Sequence, residues 1–148
     1  MIESLGVPPA LAEALAARGY DALTPVQRAV LEPDVDGRDA LVSARTGSGK
    51  TVAFGLAIAR TLMGDADRFE RAGAPLGLAV APTRELALQV QRELEWLYAP
   101  AGAVIASCVG GMDPRAERRA LDRGAHIIVG TPGRLVDLME RARVSLQY

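Results

Sequence analysis

Residues Ala44-Arg45-Thr46-Gly47-Ser48-Gly49-Lys50-Thr51 collect glycines, hydroxyls and one ammonium in a single short stretch. Those groups suit a phosphate chain. Gly47 and Gly49 let backbone N–H groups converge on phosphate oxygens, Lys50 can reach the β- and γ-phosphates, and the Thr51 hydroxyl can ligate Mg²⁺. Arg45, Thr46 and Ser48 complete the loop. A β-rich run, DALVSA, precedes it and a helical stretch, VAFGLAIARTL, follows, which is the strand–loop–helix context that phosphate binding requires. The opening position is Ala44 where the general pattern has Gly. A glycine-rich turn that only joins a strand to a helix is the competing reading. The chain holds sixteen Arg and a single Lys, so its one compact ammonium has been kept for this loop.

Other polar clusters are individually ambiguous. Thr24-x-x-Gln27 is a helix capping box, and the Gln27 carboxamide could equally donate to and accept from the N6/N7 edge of adenine, an edge that guanine does not offer. Pro82-Thr83-Arg84 and Thr131-Pro132-Gly133-Arg134 are ordinary helix starts, and Gly110-Gly111 is an ordinary turn. Arg84 could simply pair with a neighbouring carboxylate. His126 opens a β-rich run and reads as structural; Trp96 and Tyr98 read as packing residues at a helix end. Arg115, Arg118, Arg119 and Arg123 form a solvated helix face.

Elements must position these groups. Apolar residues at helical spacing around Leu11 and Leu15 predict a first helix ended by Gly19, and Thr24-Pro25 starts a second. Short β-rich runs then occur at 40–43, 78–81, 104–109 and 127–129, separated by helical stretches at 49–63, 84–98, 114–123 and 133–142. Alternating strand and helix predicts an α/β fold, a parallel sheet with helices on both faces. Residues 64–74, charged and punctuated by glycine, are expected to be a solvated loop.

With 148 residues and 49% hydrophobic content the chain suits one domain. No apolar run is long enough to suggest a membrane span. Glu3 stands where a secretion signal would be basic, so a cytoplasmic protein is expected. Cys108 has no disulfide or metal partner and is expected in the core. A net charge of −1 excludes nucleic-acid binding through a broad basic face, so any such binding must be local.

Taken in order, these segments resemble the DEAD-box RNA helicases. Gly19-Tyr20-Asp21-Ala22-Leu23-Thr24-Pro25-Val26-Gln27 is similar to the family's Q motif, the loop at 44–51 to its phosphate loop, Ala81-Pro82-Thr83-Arg84-Glu85-Leu86-Ala87 to motif Ia, Gly110-Gly111 to the GG pair, and Thr131-Pro132-Gly133-Arg134-Leu135 to motif Ib. The resemblance implies a RecA-like domain that binds ATP with Mg²⁺, with Tyr20, Thr24 and Gln27 at the nucleotide and Gln27 reading adenine. It also implies that Pro82, Thr83, Arg84, Gly110, Gly111, Thr131, Pro132, Gly133 and Arg134 hold the sugar-phosphate backbone of one RNA strand, which conveys little base information. Ile2 aligns with an aromatic that stacks on adenine; an aliphatic residue forgoes about 1–3 kcal/mol of stacking. Leu23 stands where the family usually has Pro.

The family's Asp-Glu-Ala-Asp and Ser-Ala-Thr sequences do not occur in these 148 residues. Because phosphoryl transfer needs a carboxylate for Mg²⁺ and a group to orient water, the chain alone is expected to bind nucleotide without hydrolysing it. The resemblance further implies that residues 1–148 are part of an N-terminal RecA-like domain lacking central strands, leaving edges open to a strand-swapped or edge-paired homo-oligomer. A non-catalytic ATP- and RNA-binding module, or another phosphate-loop enzyme such as a DNA helicase, are the alternatives.

Overall fold

A computed structural model of the chain describes residues 5–47, 49–111 and 113–140. It divides into two compact units, Met1–Arg68 with Trp96–Gly102, and Phe69–Glu95 with Ala103–Tyr148.

The first unit is helical. Helices α1 (Pro9–Ala17), α2 (Pro25–Ala29) and α3 (Lys50–Met63) enclose Leu11, Leu15, Leu23, Val52, Leu56 and Met63, joined by Leu97, Tyr98 and Ala101. Pro9 and Pro25 sit at helix starts, where the missing amide hydrogen is not needed. The Tyr98 ring is fully buried and its hydroxyl donates to the Gly55 carbonyl of α3 at 2.6 Å. A buried phenol requires such a partner. Trp96 stacks on Tyr20 with ring centroids 5.9 Å apart, and the Arg18 guanidinium lies 4.6 Å from the Trp96 ring centroid. Both aromatics therefore pack as expected.

The run at 40–43 departs from expectation. It forms no strand; Leu41 is fully exposed and Val42 is 44% exposed. β propensity describes fit to a pleated neighbour, and among the described residues this run has no ladder partner.

The second unit carries the sheet. Strands β1 (Gly77–Val80), β2 (Ile105–Cys108) and β3 (Ile127–Gly130) pair in parallel in the order β1-β3-β2, with Leu78 and Ala106 both in register with Ile128. The chain passes from β1 to β2 through α4 (Arg84–Tyr98) and returns to β3 through α5 (Pro114–Asp122), moving in opposite directions across the sheet. Right-handed crossovers in opposite directions put their helices on opposite faces. Helix α6 (Pro132–Glu140) follows β3. One face of the sheet buries Ala106, Cys108 and Ile128 against Leu121 of α5 and Leu135 and Leu138 of α6.

Loop 64–74 is largely exposed, but its end is pinned. His126 is 4% exposed; its Nδ1 accepts from the Val104 amide at 2.8 Å, which leaves Nε2 to donate to the Glu70 carbonyl at 2.7 Å. Phe69 packs against the same imidazole. His126 and Cys108 are structural, as their sequence setting implies.

Candidate functional site

In the first unit, Thr24 caps α2. Its hydroxyl accepts from the Gln27 amide at 3.4 Å, while its own amide donates to Gln27 Oε1 at 3.0 Å. The capping box is complete, and the Gln27 side chain is fully buried. Its Nε2 then donates to the Gly49 carbonyl at 3.3 Å, tying the helix start to the phosphate loop. Oxygen and nitrogen of the carboxamide each keep one further hydrogen-bonding position, so capping and base recognition are chemically compatible.

Gly49 has φ +86° and Gly47 has φ +82°, conformations that side-chain-bearing residues rarely adopt. Gly49 is also the N-cap of α3, and its carbonyl accepts from Ala53 as well as from Gln27. A Cβ at Gly49 would collide with Gln27 Nε2. Lys50, exposed, is the first helical residue, and Thr51, half-buried, is the second. An ammonium, a hydroxyl and the free amides of a fourteen-residue helix thus occupy one end, a suitable cradle for a polyphosphate. Thr51 would contribute one oxygen to Mg²⁺, an ion that takes much of its coordination from phosphate and water. Among the described residues no group of three or more His, Cys, Asp or Glu could hold a metal.

Arg45 and Thr46 are exposed on the loop, and Tyr20 lies against Trp96. Ile2 and Ser48 fall outside the described residues.

In the second unit, motifs Ia, GG and Ib follow the C-terminal ends of β1, β2 and β3, so the parallel sheet delivers all three to one rim. Backbone bonds brace that rim. The Ala81 amide donates to the Gly130 carbonyl at 3.0 Å and the Thr131 amide to the Cys108 carbonyl at 3.2 Å. Pro82 and Thr83 turn the chain into α4, where the Thr83 hydroxyl accepts from the Leu86 amide at 3.2 Å. Gly110 and Gly111 both have positive φ. Two arginines bracket them: a Cβ on Gly111 would lie 3.2 Å from Arg84 Nη1, and one on Gly110 would lie 3.8 Å from Arg134 Cδ. Arg84, Gly110, Gly111 and Arg134 are therefore neighbours, while Pro132 and Gly133 are exposed in the first turn of α6.

Two residues here were not singled out by sequence. Glu117 on α5, with a side chain 6% exposed, takes the Nε and Nη2 edge of Arg134, both at 2.8 Å from Oε1. Asp137, one turn along α6, accepts from Nη1. The Glu117 hydrogen bond is the main cause that raises the Arg134 pKa. Burial pushes the nearby Cys108 thiol up to about 12, helped by the Glu117 charge and opposed by Arg134. The signal for Glu117 was present: it falls at helical spacing with Ala120 and Leu121, on the apolar side of an arginine-rich helix, and an acid placed there needs a partner.

The DEAD/DEAH box helicase family matches residues 24–148. "DEAD-box ATP-dependent RNA helicase 53" of Oryza sativa subsp. japonica is 41% identical over 146 residues, covering 98% of this chain and 24% of that protein. "DEAD-box ATP-dependent RNA helicase 3B, chloroplastic" of Zea mays is 43% identical over 148 residues, covering 98% of this chain and 20% of that protein. The crystal structure of the RNA-helicase Prp28 from Chaetomium thermophilum bound to ADP superposes with a TM-score of 0.85 at 39% identity, covering 98% of this chain and 35% of that one. The chain thus spans about a quarter of the length of the curated relatives it matches. With a RecA-like fold shared with solved helicases, a phosphate loop tied to Gln27 and three motif segments on one sheet rim, the chain belongs to the DEAD/DEAH box helicase family.

Proposed function

We propose that residues 1–148 form part of the N-terminal RecA-like ATP-binding domain of an ATP-dependent RNA helicase, contributing the grip on nucleotide and on the RNA backbone. The observation that carries this reading is the convergence of Arg84, Gly110-Gly111 and Arg134 at the rim of the second unit. Two guanidiniums around a glycine turn suit a sugar-phosphate chain, and contacts to phosphate carry no base information.

Gln27 would recognise adenine, with Tyr20 and Thr24 supporting that segment and Ile2 covering the base. Arg45, Thr46, Gly47, Ser48, Gly49, Lys50 and Thr51 would hold the phosphates, and Thr51 the Mg²⁺. ATP supplies the phosphoryl bond whose turnover drives strand separation, and this chain's residues bind and orient it. A relative's solved structure contains ADP, which supports a nucleotide in the same fold.

RNA-stimulated ATP turnover by the full-length protein, abolished by Lys50→Ala, tests the reading; turnover indifferent to RNA would overturn it. The 148-residue chain alone, lacking the Asp-Glu-Ala-Asp sequence, is expected to show none. Exposure of the run at 40–43 supports edge pairing between copies of the isolated chain, and a monomer by light scattering would count against that. No helix among the described residues is long and apolar enough to cross a membrane.

A further inference from the structure

Arg134 is placed among the RNA-contacting residues, yet its guanidinium is engaged by two carboxylates of unequal character. Glu117 is nearly sealed, with a side chain 6% exposed, and meets the Nε and Nη2 edge through one oxygen at 2.8 Å. Asp137 is 36% exposed and meets Nη1. A guanidinium has five N–H donors in a rigid plane, so a ligand on one edge fixes the direction of the others. The buried acid on another helix sets that plane. Removing it would leave a flexible side chain, 23% exposed, free to swing.

Glu117 is costly to bury unless it is paired, and Arg134 pairs with it. Its fixed place on α5, whose N-cap Asp113 accepts from the Arg115 amide, makes it a rigid reference point. Asp137, by contrast, shares the helix of Arg134 at i+3 and meets Nη1 at 2.5 Å, but its side chain is 36% exposed, so water and an incoming anion can reach and replace it. It presents carboxylate oxygens where an incoming phosphate would present its own.

We propose that Glu117 is a positioning residue that fixes the guanidinium plane of Arg134, and that Asp137 is the exchangeable anion whose place an RNA phosphate oxygen takes. This rests on Arg134 gripping RNA. No group is transferred: one carboxylate contact is exchanged for one phosphate contact, while the Glu117 contact persists. The near-neutral net charge of the chain is consistent with such an arrangement, since Arg134 is held ready by local acids rather than displayed on a basic face.

The test uses the full-length chain, a saturating non-hydrolysable ATP analogue and a fluorescein-labelled ten-nucleotide oligouridylate, with Kd measured across a salt series. Arg134→Ala and Glu117→Ala should each weaken binding about tenfold and reduce the log Kd against log salt slope by ~0.7, the share of one single-strand phosphate. Glu117→Gln, which keeps an oxygen for Nε, should restore most of the affinity and the slope. Arg134→Lys, which keeps the charge and loses the fork, should behave like Arg134→Ala. Asp137→Asn should bind at least as tightly as the parent with an unchanged slope. Unaltered affinity and slope in Arg134→Ala would remove the RNA-grip reading itself. Loss in Arg134→Ala with parental binding in Glu117→Ala or in Arg134→Lys would overturn the positioning role alone. Weaker binding by Asp137→Asn would overturn the exchange. Arg134→Lys keeps the proposal open to refutation if Glu117→Ala does not fold.

Discussion

Gln27 and Gly49 lie 22 positions apart, and the Gln27 carboxamide donates to the Gly49 carbonyl at 3.3 Å while its oxygen caps its own helix. A side chain suited to reading a purine is thus bonded directly to the loop suited to the phosphates. Gln27→Ala should remove the capping box, lowering stability by about 1 kcal/mol. It should also erase discrimination between ATP and GTP. Thermal denaturation together with titration of fluorescent ATP and GTP analogues measures both; retained preference for ATP would refute the recognition role.

Gly49→Ala acts on the same pair from the other side. The new Cβ would meet Gln27 Nε2, and the backbone there has φ +86°. Nucleotide affinity should fall about tenfold or more, since strain at such a position amounts to about 1–3 kcal/mol. Gly47→Ala, at φ +82° with nothing within 4 Å of its Cβ, should suffer from conformation alone and lose less. Equal losses would show that the contact with Gln27 is immaterial.

Gly111→Ala should weaken RNA binding more than nucleotide binding. The residue has φ +66°, and a Cβ would press on Arg84 Nη1 at 3.2 Å. Filter binding of RNA and ATP to the same preparation separates the two effects, and parallel losses would point to general unfolding instead.

Cys108 supplies a pH prediction. Its thiol is raised from 9.0 to about 12, chiefly by burial. The folded chain therefore holds the proton where the unfolded chain releases it. The thiol's contribution to stability should be constant below about pH 9 and decline as pH rises from there toward 12. Urea midpoints at pH 8 and pH 10 should differ less in Cys108→Ala than in the parent. In the same range, iodoacetamide should modify the folded thiol far more slowly than the unfolded one.

Periodicity exposed most of the scaffold before any coordinates. Helix 84–98 and the strands around 78, 105 and 127 carry their patterns in their own side chains, and they lie where the spacing put them. The run at 40–43 did not, because Leu41 and Val42 become a strand only beside another strand. Site residues split along a similar line. Gly47, Gly49, Gly110 and Gly111 announce themselves by backbone demands that one residue type meets. Glu117 is legible in sequence only as an acid on the apolar side of α5; its role is set by Arg134, 17 residues away on another helix, which no local pattern names.

Lys50 opens α3 with its side chain exposed, and no other lysine occurs among these 148 residues. Reagents or enzymes that acylate primary amines thus meet a single lysine target, at the mouth of the phosphate cradle. Neutralising that one ammonium is expected to weaken nucleotide capture while leaving sixteen guanidiniums, Arg84 and Arg134 of the rim among them, chemically untouched.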